Sequence, residues 1–325
     1  MEYVSYNNLV KDDLSNSDNL STYIALGFFD GVHLGHQALF KLCTDKAKSS
    51  NSISAAVLLD PHPETIVNNI DNFSLLTTLE EKIKQIKRCG IERIYVLNFS
   101  EELKRINGED FVKEILLEKL HMSAVFVGYN YHFGYQKKGD INLIKLLSEK
   151  YNFKYYILEP IRTDDGQIIS STFIKELLKK GDIEKANQLL GYSYQISGRV
   201  IHGDKRGGEI LSFNTANVEV TGKKLLPQNG VYIALVEIEG NKLPALANIG
   251  VKPTFQDKLS NKSNTISLEA HIFNFKKDIY YQNITVSLLK RLRDEKRFTD
   301  ARKLAQQIRK DKLSADIFFR KQNNI

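Results

Sequence analysis

The chain has 325 residues, 42% of them hydrophobic, and a net charge of +7. Its length exceeds one ordinary core and predicts two domains, and its apolar content excludes a disordered chain. No apolar run reaches the roughly 18 residues of a membrane-crossing helix, and the charge excess suits anionic small substrates or nucleic acid.

In chain order, the polar, acidic start "MEYVSYNNLVKDDLSNSDNLS" does not read as a signal peptide. Residues 22–28, "TYIALGF", predict a strand, and 36–50 a helix with Leu39, Leu42, Cys43 and Ala47 on one face. Cys43 and Cys89 have neither metal-site nor disulfide spacing, so Cys43 is expected as a reduced core thiol in a cytoplasmic protein. "ISAAVLLD" (53–60) is a continuous apolar run, the pattern of a strand buried on both faces. A helix capped by Thr78 and closed by Gly90 follows. Strands are predicted at 92–99, 123–128 and 154–161, and helices at 109–119 and 141–151. Such alternation predicts an α/β, Rossmann-like parallel sheet covered by helices, with ligands beyond the carboxyl ends of the strands. After Gly191 come six short segments separated by turn residues, which predict a small antiparallel β-barrel or sandwich, then a C-terminal helix. The domains are thus expected at 1–189 and 190–325. The basic runs "KRLRDEKR" (290–297) and "RKLAQQIRKDK" (302–312) read as solvated faces of C-terminal helices rather than a nucleic-acid patch.

The most informative stretch is "YIALGFFDGVHLGHQALF" (23–40). His33 and His36 bracket a Leu-Gly where a strand turns into a helix. That junction exposes main-chain N–H groups and the positive end of a helix dipole, which together hold phosphate. Gly35 lets the backbone approach a ligand closely. No Walker lysine motif is present, and zinc ligation is poorly supported by spacing and neighbours. A plain helix cap remains open. Two further polar segments fall at predicted loop positions: "GYNYHFGYQKKGD" (128–140), and "ISSTFIK" (169–175) with Ser170, Ser171 and Thr172 at a helix start.

"GFFDGVHLGH", "DPHP" (60–63), "GYNYHFG" and "ISSTFIK", in this order, resemble the adenylyltransferase module of prokaryotic bifunctional riboflavin kinase/FAD synthetases. "ANIGVKPTF" (247–255), "SLEAHIF" (267–273) and "LRDEKRF" (292–298) resemble the kinase module of that family. For the first module the resemblance implies AMP transfer from ATP to FMN, giving FAD and pyrophosphate, with Mg²⁺ accompanying ATP. His33 and His36 would hold the triphosphate and the transition state. Gly27, Phe28 and Asp30 would shape the nucleotide site, and Asn130 would help to hold ATP. Ser170, Ser171, Thr172 and Lys175 would contact phosphates. Lys175 stands where many relatives have arginine, which keeps charge and loses bidentate geometry.

For the second module the resemblance implies that Thr215 and Asn217 hold ATP phosphates and Mg²⁺. Glu269 would take the proton of the riboflavin hydroxyl, and Arg293 would belong to the flavin site. The loop before Thr215 departs from the family pattern: Ser212 replaces a glycine, Asn214 a proline and Gly208 a basic residue, with one residue apparently added. Added Cβ groups and a lost proline disturb a phosphate cradle. The expectation is an FAD synthase with riboflavin kinase activity weak or lost. The alternatives are a fully bifunctional enzyme, or an RNA-binding or regulatory protein on the same scaffold. Neither a membrane nor a nucleic-acid partner is expected, and homo-oligomerisation is left open.

Overall fold

A computed structural model describes residues 3–6, 20–64, 73–202, 215–220, 222–252, 265–296 and 301–323. The loop positions Gly208, Ser212 and Asn214 lie outside the described residues. Contacts divide the chain into two compact units, Met1–Ser171 and Thr172–Ile325.

The first unit is built on six strands: β1 Tyr3–Tyr6, β2 Thr22–Leu26, β3 Ile53–Asp60, β4 Arg93–Asn98, β5 Met122–Gly128 and β6 Lys154–Leu158. Their order is β1-β4-β3-β2-β5-β6, and every pairing is parallel. Between them lie α1 Leu34–Ser49, α2 Leu79–Arg88, α3 Glu101–Arg105, α4 Gly108–Asp110 and α5 Ile141–Tyr151. A π-helical stretch, Phe111–Lys119, continues from α4. The continuous apolar runs follow from two cores, one on each face of the sheet. Ile24, Leu26, Ala55 and Val57 pack against Phe111, Ile115 and Leu147. Their alternates Tyr23, Ala25, Ala56 and Leu58 pack against Leu39, Phe40, Cys43 and Ile86 of α1 and α2. Cys43 is free and buried, and burial pushes its thiol up to about 12.

The chain runs from β2 outward through β3 to β4, then crosses to the other side of β2 to lay down β5. The reversal lies between the carboxyl ends of β2 and β5, where open parallel sheets bind ligands. The residues after those ends are Gly27–His33 and Tyr129–Asn130. Topology therefore brings two of the three polar segments to one edge.

The second unit opens with α6 Ser171–Lys179, which starts one residue before the contact boundary, and α7 Ile183–Leu190. Asn187 ties α7 to the barrel, donating to the Leu288 carbonyl at 2.9 Å and accepting from the Tyr194 amide at 2.7 Å. Six antiparallel strands close into a barrel: β7 Tyr194–Ile201, β8 Thr215–Glu219, β9 Gly230–Ile238, β10 Asn241–Lys252, β11 Thr265–Ile272 and β12 Asn283–Arg293. Their order is β10-β11-β8-β7-β12-β9. The C-terminal helix α8, Ala301–Asn323, buries Ala315 and lays Phe318 and Phe319 against Val231, Leu246 and Phe273.

One expectation is corrected. The run Lys290–Arg293 is not helical but ends β12, which carries register shifts between Leu288 and Lys290 and between Arg291 and Arg293. Each shift breaks the two-residue alternation, so the strand loses its sequence signature there.

Candidate active site

At the end of β2 the backbone turns sharply. Phe29, Gly31 and Val32 all have positive φ, at 50°, 82° and 41°. Only the glycine adopts this region without cost, so the other two must be held by their surroundings. Four bonds do so. The buried Asp30 carboxylate accepts from the amides of Leu76 and Thr77 at 2.8 and 3.2 Å. The Gly31 amide donates to the Thr77 hydroxyl at 3.1 Å. Lys82 Nζ donates to the Phe28 carbonyl at 2.8 Å. Ser171 Oγ donates to the Asp30 carbonyl at 2.8 Å. Gly27 is required by packing, since a Cβ there would lie 2.8 Å from the Phe29 ring. The Phe28 ring lies 4.9 Å from that of His62, which lies 5.1 Å from Phe73.

His33 occupies the N-cap position of α1, yet its side chain makes no capping bond. The plain-cap reading is therefore not realised by the imidazole. The first helical bond runs from the Gln37 amide to the His33 carbonyl. Helix geometry leaves the N–H groups of Leu34, Gly35 and His36 without intrahelical acceptors. The two imidazoles stack, with centroids 3.7 Å apart and planes at 20°. Phe29 stands edge-on to His36 at 5.2 Å. Nδ1 of both rings is buried and makes no hydrogen bond. Burial lowers the pKa of His33 to about 4, against a smaller upward pull from Asp30. Burial also holds His36 well below its ordinary value, helped by His33 and Lys82. Both rings are neutral at pH 7. With Nδ1 buried in each, the proton available to a ligand oxygen is the one on Nε2. Gly35 leaves no room above the pair, since a Cβ would come within 3.1 Å of the His33 ring.

Asn130 is exposed just past β5, its carbonyl 3.0 Å from Nδ1 of His132. The glycines of its loop serve packing. Gly134 has φ 71°, and a Cβ there would lie 2.7 Å from the Gly108 amide nitrogen. Ser170 is half-buried, and Thr172 and Lys175 follow along α6, exposed and half-buried. Sequence reading missed Lys82 and Thr77. The capping box of Thr78 and Glu81 marks this helix start, but nothing in the pattern tells that the next lysine is buried.

In the barrel, Glu269 of β11 faces Asn217 of β8 as a direct register partner, and Asn248 of β10 on its other side. Thr215 lies two residues from Asn217 and so on the same face. It also borders a cavity of about 260 Å³ lined by Ala216, Lys276, Lys277 and Tyr280. Hydroxyl, amide and carboxylate oxygens form a hard donor set that fits Mg²⁺. Among the described residues no group of three or more His, Cys, Asp or Glu could hold a metal ion, so phosphate oxygens would supply the remaining ligands. Arg293 ends β12 and is held by Asp311 of α8, with Nη2 2.7 Å and Nε 3.1 Å from carboxylate oxygens. Its Nη1 donates to the Asp294 carbonyl at 2.9 Å.

Comparison with known proteins assigns both parts of the chain to families. The FAD synthetase family matches residues 15–173 and the riboflavin kinase family residues 190–319. A bifunctional riboflavin kinase/FMN adenylyltransferase of Buchnera aphidicola (Schizaphis graminum) is 37% identical over 90% of this chain and 92% of its own. The protein of that name from Bacillus subtilis is 34% identical over 94% and 95%. A crystal structure described as a macrolide-efflux protein from Streptococcus pneumoniae superposes with a TM-score of 0.82 at 26% identity, covering 97% of this chain and 98% of that one. Among the described residues of the present chain, no helix is long and apolar enough to cross a membrane. By sequence and by fold, the chain belongs to the bifunctional riboflavin kinase/FMN adenylyltransferase family.

Proposed function

We propose that the first unit transfers AMP from ATP to FMN. A phosphate oxygen of FMN attacks the α-phosphorus of ATP, the bond to the β-phosphate oxygen breaks, and pyrophosphate leaves as FAD forms. No protein nucleophile is needed, so the site must position two anions and stabilise the charge between them. The observation that carries the reading is the stacked, neutral pair His33 and His36 at the first turn of α1, beside the switch point of the sheet. Their Nε2–H groups and the free amides of α1 are fixed donors that need no reorganisation during transfer. Gly27, Phe28 and Asp30 shape the turn, Asn130 borders it from β5, and Ser170, Ser171, Thr172 and Lys175 serve the phosphates. Mg²⁺, bound with ATP, supplies charge neutralisation on the phosphates. We place the chain in the cytoplasm on the strength of these substrates.

In the barrel unit we assign phosphate and Mg²⁺ contacts to Thr215 and Asn217, the base to Glu269, and a flavin contact to Arg293. The riboflavin kinase step is slow or lost, because the departures at Gly208, Ser212 and Asn214 fall together in one phosphate-binding loop. A fully bifunctional enzyme is the second reading, favoured by the register that sets Glu269 opposite Asn217. One experiment separates them. Purified protein with ATP and Mg²⁺ receives FMN in one reaction and riboflavin in another, and the flavins are resolved by chromatography. FAD from FMN with little product from riboflavin is the expected result. Unchanged FMN, under oxidising and reducing conditions alike, rules out the first reading; rapid FMN formation from riboflavin selects the second.

A further inference from the structure

Lys82 is a buried charged group of the first unit that the reaction above does not use. It lies in the first turn of α2, its amide bonded to the Thr78 carbonyl that begins the helix. Its side chain runs inward and is 5% exposed. Burying an ammonium costs several kcal/mol unless the surroundings repay it, and lysine is among the residues least often fully buried. Here the ammonium donates to the Phe28 carbonyl at 2.8 Å, at the start of the turn whose positive-φ residues lead into His33. Two ionisable groups of the site feel it: His36, and Asp60 at the carboxyl end of β3. The cation therefore sits under the turn, between the ends of β2 and β3, where polyanionic substrates are expected to meet.

We propose that Lys82 is a positioning residue for adenylyl transfer: its buried ammonium holds the Phe28 carbonyl, fixes the turn that carries the two histidines, and places positive charge at the floor of the site. A neutral side chain of similar shape fills the same space and supplies neither the donor nor the charge. Asp30 and Thr77 fasten the same turn through main-chain amides and a hydroxyl, so the turn survives without Lys82 but is held less closely. A displacement of about 1 Å in such a constellation costs on the order of 10²-fold in rate. The proposal rests on the adenylyl-transfer reading of this site.

The test uses the full chain with FMN, ATP and Mg²⁺, comparing wild type, Lys82→Met and Lys82→Arg. Lys82→Met is expected to lower kcat for FAD formation by about 10–100-fold and to leave KM for ATP and FMN within about threefold. Lys82→Arg, which keeps donor and charge, should recover most of kcat. Wild-type kcat in Lys82→Met overturns the proposal. So does a loss that Lys82→Arg does not relieve, or one fully explained by the unfolded fraction in a thermal melt. If wild type makes no FAD, the adenylyl-transfer reading itself fails, and the hold on the turn is read from amide exchange. Exchange at Gly31 and Val32 at least about tenfold faster in Lys82→Met, with β2 unchanged, upholds the hold; unchanged exchange overturns it.

Discussion

His33 and His36 are neutral at pH 7, as the proposed donor role requires, and that neutrality has a thermodynamic signature. In the unfolded chain a histidine takes up its proton near its ordinary 6.5, whereas folded His33 resists until about 4. Between those values the unfolded state binds more protons, so stability rises with pH there. The contribution of His33 is complete above about 6.5 and is lost as pH falls toward 4, up to about 3 kcal/mol for this residue alone. Denaturant titrations at about pH 7 and pH 5 should show the fall, and His33→Gln should flatten it. A slope unchanged by the substitution would locate the acid sensitivity elsewhere. Catalysis gives a separate reading of the neighbouring ring. Removing a preorganised donor costs about 10²–10³ in rate, so His36→Ala should lower kcat far more than it weakens ATP binding. Full activity with a lowered melting temperature would instead make His36 a packing residue. Both imidazoles were visible in the sequence as a pair at a strand-to-helix junction. Their stacking and neutrality were not, because burial depends on α2 and Phe29 closing over them.

At the scale of the element, the turn from Gly27 to His33 is held by the segment before α2. Asp30 carries most of that attachment. Its carboxylate accepts from two amides, and both residues that supply them are buried, Leu76 at 0% and Thr77 at 3% exposure. Asp30→Ala leaves two buried N–H groups unpaired and should destabilise the protein by about 2–4 kcal/mol. Asp30→Asn keeps an acceptor oxygen and should cost about half as much. Equal losses in chemical denaturation would mean that the charge, rather than the acceptor, matters. The resemblance gave Asp30 a place near the nucleotide, and the geometry adds that it works through the backbone it holds. The strands of the first unit were legible because their alternate residues meet separate cores on the two faces. The end of β12 was misread as helix because two register shifts set its lysine and arginine residues out of alternation. The glycines at 134 and 139, in the polar segment after β5, are packing sites, against Gly108 and Phe133.

At the scale of the whole molecule, the two units match families of two phosphoryl chemistries, and in the proposed scheme the product of one would be the substrate of the other. If each unit keeps its own site, the two steps must be separable by mutation. His36→Ala should stop FAD formation and leave untouched whatever FMN the chain makes from riboflavin, and Glu269→Gln should do the reverse. The size of the riboflavin signal then depends on the loop ahead of Thr215. Asn214→Pro alone should not raise it. That change fixes one φ but leaves Ser212 and the added residue, two of the departures from the family pattern, in place. Replacing Gly203 to Asn217 as a block with a loop of the family pattern should raise FMN formation, since Glu269 already lies beside position 217 on the neighbouring strand. Arg293 sharpens the test. Its guanidinium is held on one edge by Asp311, yet five N–H donors exceed what Asp311 and Asp294 accept, so it can be fixed by α8 and still meet a ligand. Should the grafted chain bind riboflavin, seen as quenched flavin fluorescence, but turn over no faster than wild type, the defect would lie outside the loop. The pairing of Arg293 with Asp311 would then be the next place to look, with Asp311→Asn expected to weaken flavin binding in wild type and graft alike.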